Sequence, residues 1–294
     1  MTLIIGFACE DGIGLVSDTK ISNPQTMEAT YASKILTPLK NTPFIVGAAG
    51  YTDLFLEFNR KIREQVEQRI RQYKIANIEQ LIKTGLKREE AISRVQLWQK
   101  SISSTQQALE EESKKQQLPK VEPDVDLPYV YSAENFLDDC RSLIQTISEN
   151  SGYANPIELL IGIRNDAKTF PYLYRMDSKG RVEQISEFTA IGTGEPHVKM
   201  FFSRLYNTNK TINQLVTDAF RTITYVQEVV KENTVGFSDE KPPEAVIITS
   251  YIDHINYGKV SYTNINEILK QIKNEMKPYE SLVLNSKIDS LIEG

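Results

Sequence analysis

Residues 2–20 read TLIIGFACEDGIGLVSDTK, and the layout of this stretch decides the fold. Leu3, Ile4, Ile5, Phe7 and Ala8 form a near-continuous apolar run, the pattern of a strand covered on both faces. Asp11-Gly12 is a hairpin turn signal, because glycine accepts positive φ without steric cost. Gly14-Leu15-Val16-Ser17 then returns as a second strand. Most chain ends are poorly ordered unless something ties them down. Here the chain enters a core at once, so Thr2 is anchored at the start of a buried strand.

Working outward from this hairpin, a third strand is predicted around Lys34–Leu36, and a fourth over Phe44–Ala49 ends at Gly50. Phe55, Phe58, Ile62, Val66 and Ile70 then recur at three- and four-residue steps, the period of an amphipathic helix. Charged helical sequence continues to about Glu112. Lys114–Gln117 with Pro119, Pro123 and Pro128 reads as an irregular linker, and a further helix is predicted from Ala133 to about Ser148. Strands return at Ile157–Ile163, Thr169–Arg175 and Val182–Ile185, the last two joined by a turn over Asp177–Gly180. Ala190–Gly194 leads into a helix starting near Glu195-Pro196. Helical sequence covers roughly 211–231, strands follow at Ala245–Ser250 and Lys259–Tyr262, and a last helix starts near Asn264.

Helices are segregated from strands in this order and do not alternate with them, which argues against a doubly wound parallel sheet. The expected class is α+β, with two mostly antiparallel sheets between helical layers. The chain is read as a single domain over 1–294, with an extended helical insertion over about 60–153 and a C-terminal helical tail over about 264–294.

Composition excludes several functions. The net charge of -5 gives no reason to expect a nucleic-acid partner. No apolar run reaches the ~20 residues of a membrane helix, and no basic segment precedes the first apolar stretch. Cys9 and Cys140 are far apart and form no CxxC, which suits a reducing cytoplasm better than a disulfide framework. His197 and His254 have no metal-ligand spacing, so no metal is expected. Nor is a cofactor: the glycines of Gly12–Ser17 lie between two strands, Gly47–Gly50 lacks a phosphate-loop lysine, and no GxSxG occurs.

A quieter constellation remains. If Met1 is removed, Thr2 carries a free α-amine whose ordinary pKa is ~7.7–8.0, so a sizeable neutral fraction exists near pH 7. That amine can act as general base for the hydroxyl of the same residue. Such a nucleophile needs a nearby cation, a carboxylate to hold the cation, and backbone N–H donors for an oxyanion. Asp18 closes the second strand, Lys34 opens the third, and Gly50 ends the fourth beside a helix start. Asp18 and Lys34 also suit a purely structural ion pair across strands.

Thr2, Asp18 and Lys34, each sixteen residues from the next, resemble the pattern of proteasome β-subunits. GFACEDGIGLVSDTK is similar to that family's hairpin, and FIVGAAGYTDLFLEF to its glycine turn and first helix. IGTG at 191–194 stands where the family has an Ile/Val-Gly-Ser-Gly segment. The resemblance spans roughly 2–60 and 155–270. It implies a four-layer αββα N-terminal-nucleophile hydrolase with Gly50 at the oxyanion hole and Thr193 in the place of the active-site serine. Asn233 is the best match to the family's second aspartate, Lys20 replaces its usual arginine, and Ser238 and Asp239 come later than its serine turn.

The implied activity is threonine-type hydrolysis of peptide or other amide bonds. The implied partners are peptide or protein substrates, further copies of the chain in a homo-oligomeric ring, and a separate ATPase as regulator. Two alternatives use the same residues: a noncatalytic assembly or binding subunit, and a small-molecule amidase or acylase with the same N-terminal chemistry.

Overall fold

The computed structural model describes residues 2–22, 29–36, 44–103, 133–153, 156–164, 171–230, 235–249, 257–259 and 264–275. The hairpin at the start forms as its apolar run requires, with the turn at Glu10-Asp11, one residue earlier than the Asp11-Gly12 read from the sequence, and with Gly12 already paired to Cys9. Strand β1 (Leu3–Cys9) pairs antiparallel with β2 (Gly12–Ser17), from Ile4 opposite Ser17 to Cys9 opposite Gly12. Two short strands, β3 (Lys20–Ser22) and β4 (Ala29–Tyr31), pair with each other and come before β5 (Ile35–Leu36) and β6 (Phe44–Gly50). This small hairpin was not expected from the sequence. Its strands are three residues long, too short to display an alternation.

The helical block contains α1 (Thr52–Lys83), α2 (Arg88–Ser103) and α3 (Ala133–Ser151). The helical sequence read to about Glu112 divides into α1 and α2 at Gly85, whose φ of 96° continues no helix, and its part beyond 103 lies outside the described residues. The linker read over 114–128 lies outside the described residues. Strands β7 (Ile157–Ile163), β8 (Tyr172–Met176), β9 (Val182–Ile185) and β10 (Phe188–Gly192) follow. Three strands were expected here and four are found, because β9 and β10 are separated by only a two-residue bend. Helices α4 (Glu195–Leu205) and α5 (Ile212–Tyr225) follow, and α5 runs into a π-helical turn at Val226–Val230. Strands β11 (Glu244–Thr249) and β12 (Tyr257–Lys259) come next, and a helix α6 covers 264–275.

Two five-stranded sheets result, ordered β10-β1-β2-β11-β12 and β5-β6-β7-β8-β9. All pairings among the described residues are antiparallel. Alternation along β1 and β2 sorts the side chains into layers. Leu3, Ile5, Phe7 and Val16 face α4, α5 and α6, while Ile4, Ile13 and Leu15 face the second sheet. The second sheet buries its far face, including Phe44, Val46, Leu159 and Ile161, under α1 and α3. The order of layers is helix, sheet, sheet, helix, as the segregated pattern predicts.

Close contact between the sheets depends on glycine. A Cβ on Gly162 would lie 2.6 Å from Ile13 and 2.7 Å from Ile45, so any larger residue would force both side chains to shift. On the outer face, Phe44 stacks on Phe136 at 4.4 Å, and Arg69 reaches Asp139 with two hydrogen bonds of 2.8 and 2.6 Å. No helix among the described residues is long and apolar enough to cross a membrane.

Candidate active site

The hairpin count places Asp18. Residue numbers paired across β1 and β2 differ by thirteen at Ile4–Ser17, so the next step opposes Leu3 to Asp18. The Asp18 N–H donates to the Leu3 carbonyl at 3.1 Å, and the Asp18 Oδ1 accepts the Leu3 N–H at 2.8 Å. The carboxylate therefore completes the ladder beyond the last backbone pair and clamps the peptide unit that follows Thr2. Lys34, immediately before β5, donates from Nζ to the same Oδ1 at 2.7 Å and to the Lys20 carbonyl at 2.5 Å. The Asp18 Oδ2 accepts the Gly236 N–H at 3.1 Å.

Asp18 is fully buried, Lys34 is 3% exposed and Thr2 6%. Burial pushes the Asp18 carboxyl above the usual carboxylate range, opposed by the Lys34 ammonium and the N–H donors. Burial likewise pushes the Lys34 ammonium down, opposed by Asp18 and more weakly by Glu244. A buried lysine lowered in this way can accept or release a proton at modest cost. Glu244 also accepts a hydrogen bond from Ser33 at 2.5 Å, which fixes the residue before Lys34.

The far side of Thr2 is closed by the end of β10. Gly192 has φ 94°, and a Cβ there would collide with the Thr2 carbonyl oxygen. Only glycine fits, and the backbone lies against Thr2. The Thr193 hydroxyl donates to the Thr2 carbonyl at 3.5 Å, and a Cβ on Gly194 would lie 3.0 Å from Leu3. The Cβ position of Gly192 is also 3.5 Å from Ala49, which brings the end of β6 to the same corner. Gly50 follows, exposed, with φ 141° and the Pro156 carbonyl where a Cβ would sit. The Tyr51 N–H donates to that same carbonyl at 3.1 Å.

Lys34 bonds Asp18 directly and Thr193 bonds the Thr2 carbonyl, while Asp18 reaches Thr2 only through the N–H of Leu3; Gly50 lies on the adjoining strand end. Asn233 lies outside the described residues. The segment just beyond it supplies Gly236, which donates to Asp18 and accepts the Thr19 and Lys20 N–H groups at 3.1 and 2.9 Å. Gly236 was not singled out in the sequence, because a backbone donor leaves no side-chain signature. A second group also escaped notice. Arg175 on β8 bonds Glu158 of β7 at 3.1 Å and both carboxylate oxygens of Glu195, at the start of α4, at 3.2 Å. It ties the second sheet to the helix that follows Thr193-Gly194. Its only sequence signal is an arginine within an otherwise apolar and aromatic strand.

Residues 120–238 match the family model described as Proteasome subunit. A structure of the Anbu (Gly-1) mutant from Hyphomicrobium sp. strain MC1 superposes with a TM-score of 0.55 at 11% identity, covering 96% of this chain and 97% of that one. No curated protein matches. The span matched in sequence contains Thr193 and Asn233, whereas Thr2, Asp18, Lys34 and Gly50 precede it.

Proposed function

From a chain that is proteasome β-subunit-like in its N-terminal-nucleophile hydrolase fold, we propose a threonine amide hydrolase that acts on peptides once Met1 has been removed. One observation carries the reading: a single buried carboxylate oxygen, Asp18 Oδ1, holds both the backbone next to Thr2 and the Lys34 ammonium. A structural ion pair has no need to clamp the chain end. A catalyst at the chain end does, because a loosely held nucleophile loses its orientation advantage.

In this mechanism the Thr2 hydroxyl attacks the substrate carbonyl while the Thr2 amine takes its proton, directly or through water. The Lys34 ammonium stabilises the developing alkoxide, and Asp18 positions Lys34. The Gly50 N–H receives the oxyanion, and Thr193 supports the Thr2 backbone. The amine returns its proton to the leaving nitrogen, leaving an ester on Thr2 that water hydrolyses. A homo-oligomeric assembly in the cytoplasm, ring-shaped and served by a separate ATPase, is the further reading that the family likeness supports. The helical stretch over about 60–153 is proposed as an insertion into a single domain.

Intact mass of the purified chain tests the premise: retained Met1 would exclude the mechanism. With Met1 absent, a panel of peptides and acylamides should show turnover that Thr2→Ala abolishes. Turnover surviving in Thr2→Ala would overturn the assignment. Cleavage of acylamides alone would redirect it to a small-molecule amidase, and no turnover of either would leave the noncatalytic subunit.

A further inference from the structure

The π-helical turn at the end of α5 lies over the segment that contacts Asp18. Where α5 ends, the helix widens to a π turn at Val226–Val230, with Val226 buried in the core beneath. Such turns are rare and tend to occur at functional sites, since they swing side chains off the regular helical stripe. Here the turn carries Gln227. Its Oε1 accepts the Phe237 N–H at 2.8 Å, and its Nε2 donates to Glu228 at 3.1 Å, which fixes the orientation of the amide. The residue before the donor Phe237 is Gly236, whose N–H donates to Asp18 Oδ2 and whose carbonyl accepts the Thr19 and Lys20 N–H groups. A Cβ on Gly236 would lie 2.9 Å from Gln227 Oε1, so the amide and the glycine backbone are in close contact.

We infer that Gln227 is a positioning residue: its side-chain oxygen holds the Val235–Phe237 strap so that Gly236 completes the donor set of Asp18. The chain of bonds runs Gln227 to Phe237, Gly236 to Asp18, and Asp18 to Lys34 and Leu3. The carboxylate has three described N–H or ammonium donors, and this is the one supplied from outside the β-strand ends. Donors to a carboxylate favour its ionised form, so loss of the strap raises the titration point of Asp18. This role is stated relative to Asp18, and it bears on catalysis only through the function proposed above.

The test uses the whole chain carrying Gln227→Met, which keeps the shape and removes the strong acceptor. Amide exchange should accelerate at Gly236 and Phe237 by more than about tenfold, while amides of β7 keep wild-type rates. The Asp18 carboxyl, followed by carbon-13 chemical shift, should titrate at higher pH than in the wild type. Gln227→Glu retains an acceptor and should restore protection of the Phe237 amide, a rescue that simple loss of packing would not give. Unchanged exchange at Gly236 and Phe237 together with unchanged Asp18 titration would overturn the inference. If Gln227→Met does not fold, the comparison of Gln227→Glu with Gln227→Asn decides it, since asparagine is one methylene too short to reach. Exchange at Phe237 must then be fast in Gln227→Asn and slow in Gln227→Glu; equal rates would overturn it.

Labelling of Thr2 by a hydroxyl-directed β-lactone separates this inference from the functional proposal. A wild-type chain that is never labelled sinks the hydrolase reading, yet the exchange and titration results still stand or fall alone. If Thr2 is labelled, Gln227→Met should slow labelling about tenfold or more.

Discussion

Two ion-paired groups join separate elements near Thr2, and they differ in how water reaches them. The Asp18–Lys34 pair is sealed, with 0% and 3% side-chain exposure, and its carboxylate oxygens are occupied by described donors. The Arg175–Glu158–Glu195 group is wet, each side chain being 18–31% exposed, with Lys199 adding a bond to Glu195 at 2.7 Å. The sealed pair costs desolvation and gives orientation in return. The wet group costs little and contributes little, because solvent competes for each bond.

The largest effect should come from opening the sealed pair. Lys34→Ala leaves a buried carboxylate without its cation and should destabilise the chain by about 3–5 kcal/mol in urea unfolding. If the mechanism proposed above holds, turnover in this variant falls below detection. The double change Asp18→Asn with Lys34→Met should recover much of the stability and none of the activity. Stability and turnover that recover together would show that the pair has no catalytic part.

Gly192→Ala comes next, since it forces an alanine into φ 94° and against the Thr2 carbonyl. A loss of about 1–3 kcal/mol is expected from strain. Turnover should fall by more than that loss explains at temperatures where the variant stays folded, because Thr2 itself must move. Retained turnover would mean that the position of Thr2 is unimportant.

The wet group should respond mildly. Arg175→Ala is expected to cost about 1 kcal/mol or less in thermal or urea unfolding, and that cost should shrink in high salt. Its pH behaviour has a definite sign. Burial tends to raise Glu195, but bonds from Lys199 and Arg175 outweigh it and hold the carboxyl below its usual range. Its contribution is therefore present above the ordinary glutamate range and is lost as pH falls through the lowered value. A cost of Arg175→Ala that grew on acidification would contradict this.

The smallest effect is chemical. Burial, with a hydrogen bond to Asp11, pushes the Cys9 thiol up to about 12. Native Cys9 should then react with iodoacetamide at pH 8 about a thousandfold more slowly than a free thiol, and normally once the protein is unfolded in urea. Fast labelling of the native protein would mean that the hairpin turn opens readily.

Thr2, Asp18 and Lys34 were legible as candidates because each was read at a strand end, and strand ends are marked by where apolar runs stop. The layer order was legible for the same reason, since segregated runs admit few packings. The β3–β4 hairpin was not, because its strands are too short for a period to emerge. Gly236 and Gln227 could not be found as partners of the site, since their contribution depends on a π turn and on contacts more than two hundred residues from Asp18. The Arg175 clasp was also out of reach: pairing an arginine with two glutamates on other elements requires the fold.

The β1–β2 hairpin works as a ruler. A turn of two residues between arms of fixed length sets Asp18 opposite Leu3, and side chains alternate between faces at every step. One residue added to the β2 arm would turn the Asp18 carboxylate to the opposite face, away from Lys34, and one added to the β1 arm would take Leu3 out of register with it. Changes of identity in the hairpin are therefore graded in their cost, whereas changes of length are not. Sequence could drift widely across this stretch while its residue count stayed fixed. A search for relatives of this chain should weigh the sixteen-residue interval ahead of the letters within it.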